Sequence, residues 1–206
     1  MAKSNKYEID DPLFDVEHGV LKNKLGITDR DKLDSVERQH LVNTYRKAAL
    51  EYSKNHVFSE HDVCHLHKLF LGEIYEWAGS YRTVDLSSED IRFCHAAFIN
   101  DNMSVFSGEL SKLSPFAADL SKRDIIDRLA IIHGELIVIH PFRDGNGRVT
   151  RLLCDLLLMQ ARYRPLKMTS FYRDDFVKRY YRAIRKIWYA KDYSELAKLF
   201  EPLIVR

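Results

Sequence analysis

Six residue positions within one stretch of twelve carry the chemistry of this sequence. The stretch is His140-Pro-Phe-Arg-Asp-Gly-Asn-Gly-Arg-Val-Thr-Arg151. His140 is a base that can accept a proton near neutral pH. Asp144 is a single carboxylate of the kind Mg2+ takes when phosphate and water supply its other ligands. Gly145 and Gly147 permit backbone conformations closed to other residues and let the chain approach a ligand. Arg148 and Arg151, three residues apart, can grip successive phosphates through their planar forks of donors. Each feature alone has an ordinary explanation: a terminal histidine caps or packs, and Gly-Asn-Gly makes a turn. Two arginines at the positive end of a helix, however, cost stability unless an anion compensates. Their conjunction with the base and the carboxylate therefore points to phosphate chemistry. The spacing excludes a Walker loop, which needs Gly-x4-Gly-Lys-Ser/Thr. A dinucleotide fingerprint is excluded because a helix, not a strand, precedes the stretch.

The elements that must hold this loop read mostly as helix. Ser121-Lys-Arg-Asp124 forms a capping-box signal with Asp124 in the acceptor role. Ile125, Leu129, Ile132, Leu136 and Ile139 follow at helical spacing, and Pro141 ends the run after His140. A second apolar-periodic run starts at Val149 and stops before Tyr163-Arg164-Pro165. The loop thus feeds a helix N-terminus, whose N–H groups and partial positive charge make a phosphate site. Further helices are predicted at about 35–53, 59–77, 98–113, 171–188 and 193–199. The exception is Gly79 to Phe93, where partial alternation around Ser87-Ser88-Glu89-Asp90 predicts a β-hairpin. One hairpin is too little sheet for a scaffold, so it reads as a flap lying on helices. The expected fold class is mainly α, a helical bundle with one hairpin flap over the loop.

The bulk numbers set bounds. A chain of 206 residues with 46% apolar content builds one compact domain with a real core. We expect a helical extension over 1–55 packed on a catalytic domain at 56–206. A formal net charge of +2 gives no strong field toward nucleic acid or membrane, so an anionic ligand must be held by a local cluster. The three cysteines, 64, 94 and 154, are odd in number and suit a reducing compartment. The polar start Met-Ala-Lys-Ser-Asn-Lys shows no secretion signal. These features together set the expectation of a cytoplasmic protein.

The stretch His140-Pro141-Phe142-x-Asp144-Gly145-Asn146-Gly147-Arg148-x-x-Arg151 resembles the signature of the Fic family at every defining position. Phe70 to Gly79 with Tyr81-Arg82 resembles the helix leading into that family's flap, and Met159 to Pro165 the end of its post-motif helix. The resemblance implies a bacterial, Mg2+-dependent enzyme that moves AMP from ATP to a Ser, Thr or Tyr hydroxyl of another protein. It implies His140 as general base, Phe142 as the anchor of the loop, and Asp144 as the Mg2+ ligand. Gly145, Asn146 and Gly147 would form the anion hole. Arg148 would orient the transferred phosphate and Arg151 would hold the terminal one. The flap, about 82–93 and with Thr83, Val84, Asp85, Leu86 and Ser87 as docking residues, would clamp a target peptide by strand addition. Phe176 and Tyr180, or Tyr181, are candidates for the adenine pocket and equally for ordinary core.

Many family members carry Ser/Thr-x-x-x-Glu-Gly/Asn, whose glutamate blocks the last arginine of the motif. Here Ser4 to Glu8 is followed by Ile9, and Ser194 has Lys198 at the glutamate position. The resemblance is therefore to the class whose inhibitor is a separate small antitoxin, a class that Asp11 to Ile27 also resembles. That antitoxin would supply the glutamate that pairs with Arg151. Bacterial type II topoisomerases are the implied targets of such a toxin, and host GTPases those of a delivered effector. Transfer of phosphate, UMP or phosphocholine is the alternative chemistry; the kinase-like branch has Ala and Lys where this chain has Gly145 and Arg148. A non-catalytic strand-binding module is the alternative outside enzymes. Elsewhere, His61, Cys64, His65 and His67 resemble a zinc cluster but lack a second ligand group. His133 reads as core, and the basic run from Arg173 to Lys186, interleaved with Asp174 and Asp175, as a solvated face rather than a nucleic-acid site.

Overall fold

The computed structural model describes residues 11–88, 91–166 and 174–206. The chain opens with a short antiparallel pair, β1 (Phe14–Asp15) and β2 (Val20–Leu21), followed by helix α1 (Arg30–Glu51). Helix α2 (Glu60–Leu71) precedes the second pair, β3 (Ser87–Ser88) and β4 (Ile91–Arg92). Then come α3 (Ile99–Leu113), α4 (Lys122–Ile139), α5 (Asn146–Gln160), α6 (Asp174–Ala190) and α7 (Ser194–Phe200). The mainly helical class is as expected. Residues 11–29 depart from the helical extension: a β-pair and turns occupy them, and Asp29 caps α1 by accepting from the Lys32 amide at 2.7 Å. The helix expected over 59–77 stops at Leu71, and the chain runs through turns to the flap.

Helix α4 is the hub, packing against α3, α5, α6 and α7. Every residue from Ile132 to Ile139 is buried, which is why its apolar content runs all the way round instead of forming a stripe. Its fully buried Ile125, Leu129 and Leu136 contribute roughly 1.5–3 kcal/mol each by removal from water. Ser121 caps it, accepting from the Asp124 amide at 3.1 Å. The Ser121 hydroxyl in turn donates to the Asp124 carboxylate, so the reciprocal half of the box uses the side chain. Helix α1 lies against α2 and α5. Val20 and Leu33 join Phe70, Leu71, Ile74 and Tyr75 in a second apolar cluster beside the main core. No helix of the described residues is long and apolar enough to cross a membrane.

Candidate active site

The loop between α4 and α5 is fixed by its own sequence and by four distant residues. Pro141 disfavours helical backbone at the residue before it. His140 leaves α4 in the left-handed conformation, with φ 53°, outside the extended region that a following proline favours. Gly145, at φ 81°, makes the second left-handed turn and caps α5. A Cβ there would sit 3.0 Å from a Leu71 methyl and 3.2 Å from the His67 ring, so the position needs glycine for space as well as for φ. Helix α5 starts at Asn146, three residues before the sequence periodicity suggests. Gly147 and Arg148 therefore belong to its first turn, where the Arg148 amide donates to the Gly145 carbonyl at 3.0 Å and the amides before it have no carbonyl one turn back to bond.

The Asn146 side chain is buried and clamps Phe142. Its Oδ1 accepts from the Phe142 amide at 2.8 Å, and its Nδ2 donates to the Phe142 carbonyl at 2.6 Å. Any part Asn146 plays in holding an anion thus falls to its backbone N–H. Phe142 is fully buried and stacks on His67 at 3.8 Å. The Gly79 amide donates to His67 Nδ1 at 2.8 Å, so the ring proton sits on Nε2, which donates to the Asp144 carbonyl at 2.9 Å. Burial drives the His67 pKa down to about 4, so it is a neutral strut at physiological pH. Among the described residues no cluster of three metal-ligating side chains forms, and His67 is committed to the loop.

Two cations tie the loop to neighbouring segments. Buried Arg143 pairs with buried Asp11, which docks the N-terminal segment onto the motif. Arg82, 4% exposed, donates through Nε to the His140 carbonyl at 2.8 Å and also reaches the Val84 and Cys94 carbonyls. The Arg82 amide adds a bond to the Pro141 carbonyl at 2.8 Å. The base of the flap is therefore joined directly to the start of the motif.

A cleft of about 500 Å³ opens between these parts, a size suited to a nucleotide. His140, Asp144, Gly145, Gly147, Arg148 and Arg151 all line it. His140 Nδ1 lies 3.1 Å from the Ile137 carbonyl, and the Phe93 ring stacks on the imidazole at 3.7 Å. Donation from Nδ1 makes Nε2 the lone-pair nitrogen. Asp144 accepts from the Gly145 amide at 2.7 Å and from Arg148 at 3.3 Å. Arg148 also donates to Glu37 of α1 and lies 4.9 Å over the Phe70 ring. Burial alone lowers the Arg148 pKa, but the flanking Asp144 and Glu37 carboxylates outweigh it and hold the group charged. The Arg151 guanidinium lies close over Gly147, 3.2 Å from where a Cβ would stand.

The flap and the aromatic candidates divide. The hairpin pairs Ser87 with Arg92 and Ser88 with Ile91, so its ladder is shorter than the expected 79–93 span. Ser88, Ile91 and Phe93 line the cleft. None of Thr83, Val84, Asp85, Leu86 and Ser87 does: Leu86 is buried, while Thr83 and Asp85 border a separate cavity with His95. Asp85 caps the next turn, accepting from the Ala96 amide at 2.7 Å. Tyr180 and Tyr181 line the cleft, and Tyr180 shares a 2.9 Å hydrogen bond with His133. Phe176, one turn earlier on α6, is in the main core instead. His133 is fully buried between Tyr180 and Cys154, and burial lowers its pKa to about 3. Glu37, Tyr75, His67, Asp11 and Phe93 were not legible as site residues. Glu37 meets Arg148 across 111 positions of sequence, and no local pattern marks such a pairing.

The fold and cleft define a helical protein with a glycine-containing loop at a helix N-terminus beside a small hairpin. A sequence model described as the Fic/DOC family matches residues 57–158. Over 162 residues the chain is 33% identical to protein adenylyltransferase VbhT of Bartonella schoenbuchensis, covering 77% of this chain and 33% of that protein. Over 144 residues it is 30% identical to the probable protein adenylyltransferase Fic of Salmonella typhimurium, covering 70% of each. The chain thus spans a third of the length of the first relative and more than two thirds of the second. The crystal structure of BepC from Bartonella tribocorum, a VirB-translocated effector with bound AMPPNP, superposes with TM-score 0.71 at 21% identity, over 90% of this chain and 92% of that one. The N-terminal Fic domain of a Bep effector from Bartonella sp. AR 15-3 gives TM-score 0.75 at 24% identity, over 93% and 90%. The chain belongs to the Fic/DOC family.

Proposed function

We infer that this chain is a protein adenylyltransferase that moves AMP from ATP to a hydroxyl of another protein. The observation that carries the reading is the convergence of His140, Asp144, Arg148, Arg151 and the α5 N-terminus on one nucleotide-sized cleft. His140 Nε2 takes the proton of the target hydroxyl. The hydroxyl oxygen then bonds to the α-phosphorus as the bond from that phosphorus to the β-phosphate bridge breaks, and pyrophosphate leaves. Arg148, Arg151 and the first-turn amides of α5 neutralise the phosphate charge, which is the main protein contribution to such transfers. Asp144 fits a Mg2+ site: one carboxylate, 20% exposed, on the cleft wall beside the phosphate-binding amides. Asp144 would hold Mg2+ there, and the ion would supply positive charge against the phosphates. Tyr180 and Tyr181 flank the base, a reading supported by their position on the cleft wall. The flap arm at Ser88, Ile91 and Phe93 presents the target strand to His140, an assignment supported by the Phe93 stack.

Incubation with ATP labelled separately at the α and γ positions tests the reaction. Label from the α position on protein, with pyrophosphate released, supports it; γ-label on protein sinks it. The finer reading is that a small partner protein in a bacterial cytoplasm silences the enzyme by bringing a glutamate to Arg151. It is supported by the place of Arg151 on the cleft wall, reachable from outside the chain. The purified chain alone then labels itself or a lysate protein. A chain that is inert until one of its own glutamates is replaced removes that part of the reading.

A further inference from the structure

We propose that Glu37 of α1 is a positioning residue for the transfer, holding the Arg148 guanidinium in its working orientation, with Tyr75 holding Glu37 in turn. The inference rests on the adenylyltransferase reading, since it assigns Arg148 to the reacting phosphates. Glu37 lies outside residues 57–158, the part of the chain that the family model covers.

The geometry is a chain of charge-assisted bonds along the cleft wall. The Tyr75 hydroxyl donates to Glu37 Oε1, and Arg148 Nη1 donates to Oε2, so both carboxylate oxygens are engaged. Arg148 Nη2 donates to Asp144 Oδ2 at 3.3 Å, and Asp144 Oδ1 accepts from the Gly145 amide. The Phe70 ring supports the guanidinium from one side. Glu37, Tyr75, Arg148 and Asp144 all border the cleft. The Glu37 side chain is 7% exposed and the Arg148 side chain 26%, so the anchor is dry while the arginine keeps a face toward the ligand. A guanidinium has five N–H groups. The two bonds to carboxylates therefore leave donors for a phosphate while fixing the plane of the fork. A preset donor need not reorganise as charge develops, and its benefit appears in the transition state.

The test uses the full chain with Glu37→Gln, Glu37→Asp and Tyr75→Phe. Glu51→Gln, at the far, half-exposed end of α1, serves as control. Transfer of α-label gives kcat and KM for ATP, and the Arg148 guanidinium N–H signals in 15N NMR, assigned with Arg148→Lys, report its order directly. Glu37→Gln is expected to lower kcat 10- to 100-fold with KM within threefold, and to broaden the Arg148 signals. Tyr75→Phe should lower kcat 3- to 10-fold, and Glu37→Asp should recover part of the loss. An increased rate in Glu37→Gln overturns the proposal, because Glu37 would then compete with phosphate for Arg148. An unchanged kcat with only a lowered melting temperature overturns it too. If the wild-type chain transfers no AMP, the adenylyltransferase reading falls, while an Arg148 signal unaffected by Glu37→Gln overturns the positioning role independently.

Discussion

The motif loop and the flap face each other across one cleft but are held by different means. The loop from His140 to Arg148 is tied on several sides: Asn146 clamps Phe142, His67 holds the Asp144 carbonyl, Asp11 pairs with Arg143, and Glu37 pairs with Arg148. The flap has a two-rung ladder and depends at its base on Arg82. The difference fits the tasks proposed for them. Phosphate chemistry needs donors already in place, whereas a strand that accepts varied peptides needs only a presented edge. Phe93 is where the two meet, stacked on the His140 imidazole.

Replacing His140 probes the loop most severely. His140→Ala should lower α-label transfer by about 10²–10⁴-fold with nucleotide affinity retained, as expected for loss of a general base. Retained transfer would remove His140 from the chemistry. Next comes the backbone of the loop. Gly145→Val meets both the positive φ and the 3.0 Å contact with Leu71, and should cost about 1–3 kcal/mol in denaturant unfolding as well as most activity. Wild-type stability in that variant would mean that the turn is not the locked element described here. Phe93→Ala tests the meeting point. It should lower transfer to a protein target about tenfold or more while AMPPNP affinity stays within threefold. An equal loss of affinity would assign Phe93 to the nucleotide instead of the target.

The smallest effect is on stability against pH. The lowered pKa values of His67, about 4, and His133, about 3, mean that the unfolded chain takes up protons first as pH falls below about 6.5. Their contribution to stability is present above that pH and is lost as pH falls toward the folded values. Burial raises Asp155 to about 6, which acts in the opposite sense between pH 4 and 6. The melting temperature should therefore rise modestly from pH 5 to 6.5. Asp155→Asn should steepen the rise even as it weakens the 2.8 Å bond from Tyr45. A slope unchanged by Asp155→Asn would contradict the assignment.

Much of this was written in local sequence. The 3.6-residue period gave α4 and α5, Pro141 gave the break, and the two glycines gave the cradle, because each acts over a few residues. The flap was legible as a hairpin, but not which of its residues border the cleft: Ser88, Ile91 and Phe93 line it. A short strand flanked by turns does not reveal which arm lies over a neighbour. Phe176 and Tyr180 share a helical stripe, and only packing sent one into the core and the other to the cleft.

The sequence by itself determined the candidate reacting groups, since a base, a carboxylate, two glycines and two arginines lie within twelve residues and a short loop can bring them together. Only the tertiary structure decided what holds them. Asp11, Glu37, His67 and Arg82 reach the loop across 58 to 132 positions of sequence. Such bonds are specified by the packing of whole helices, which no short-range pattern encodes.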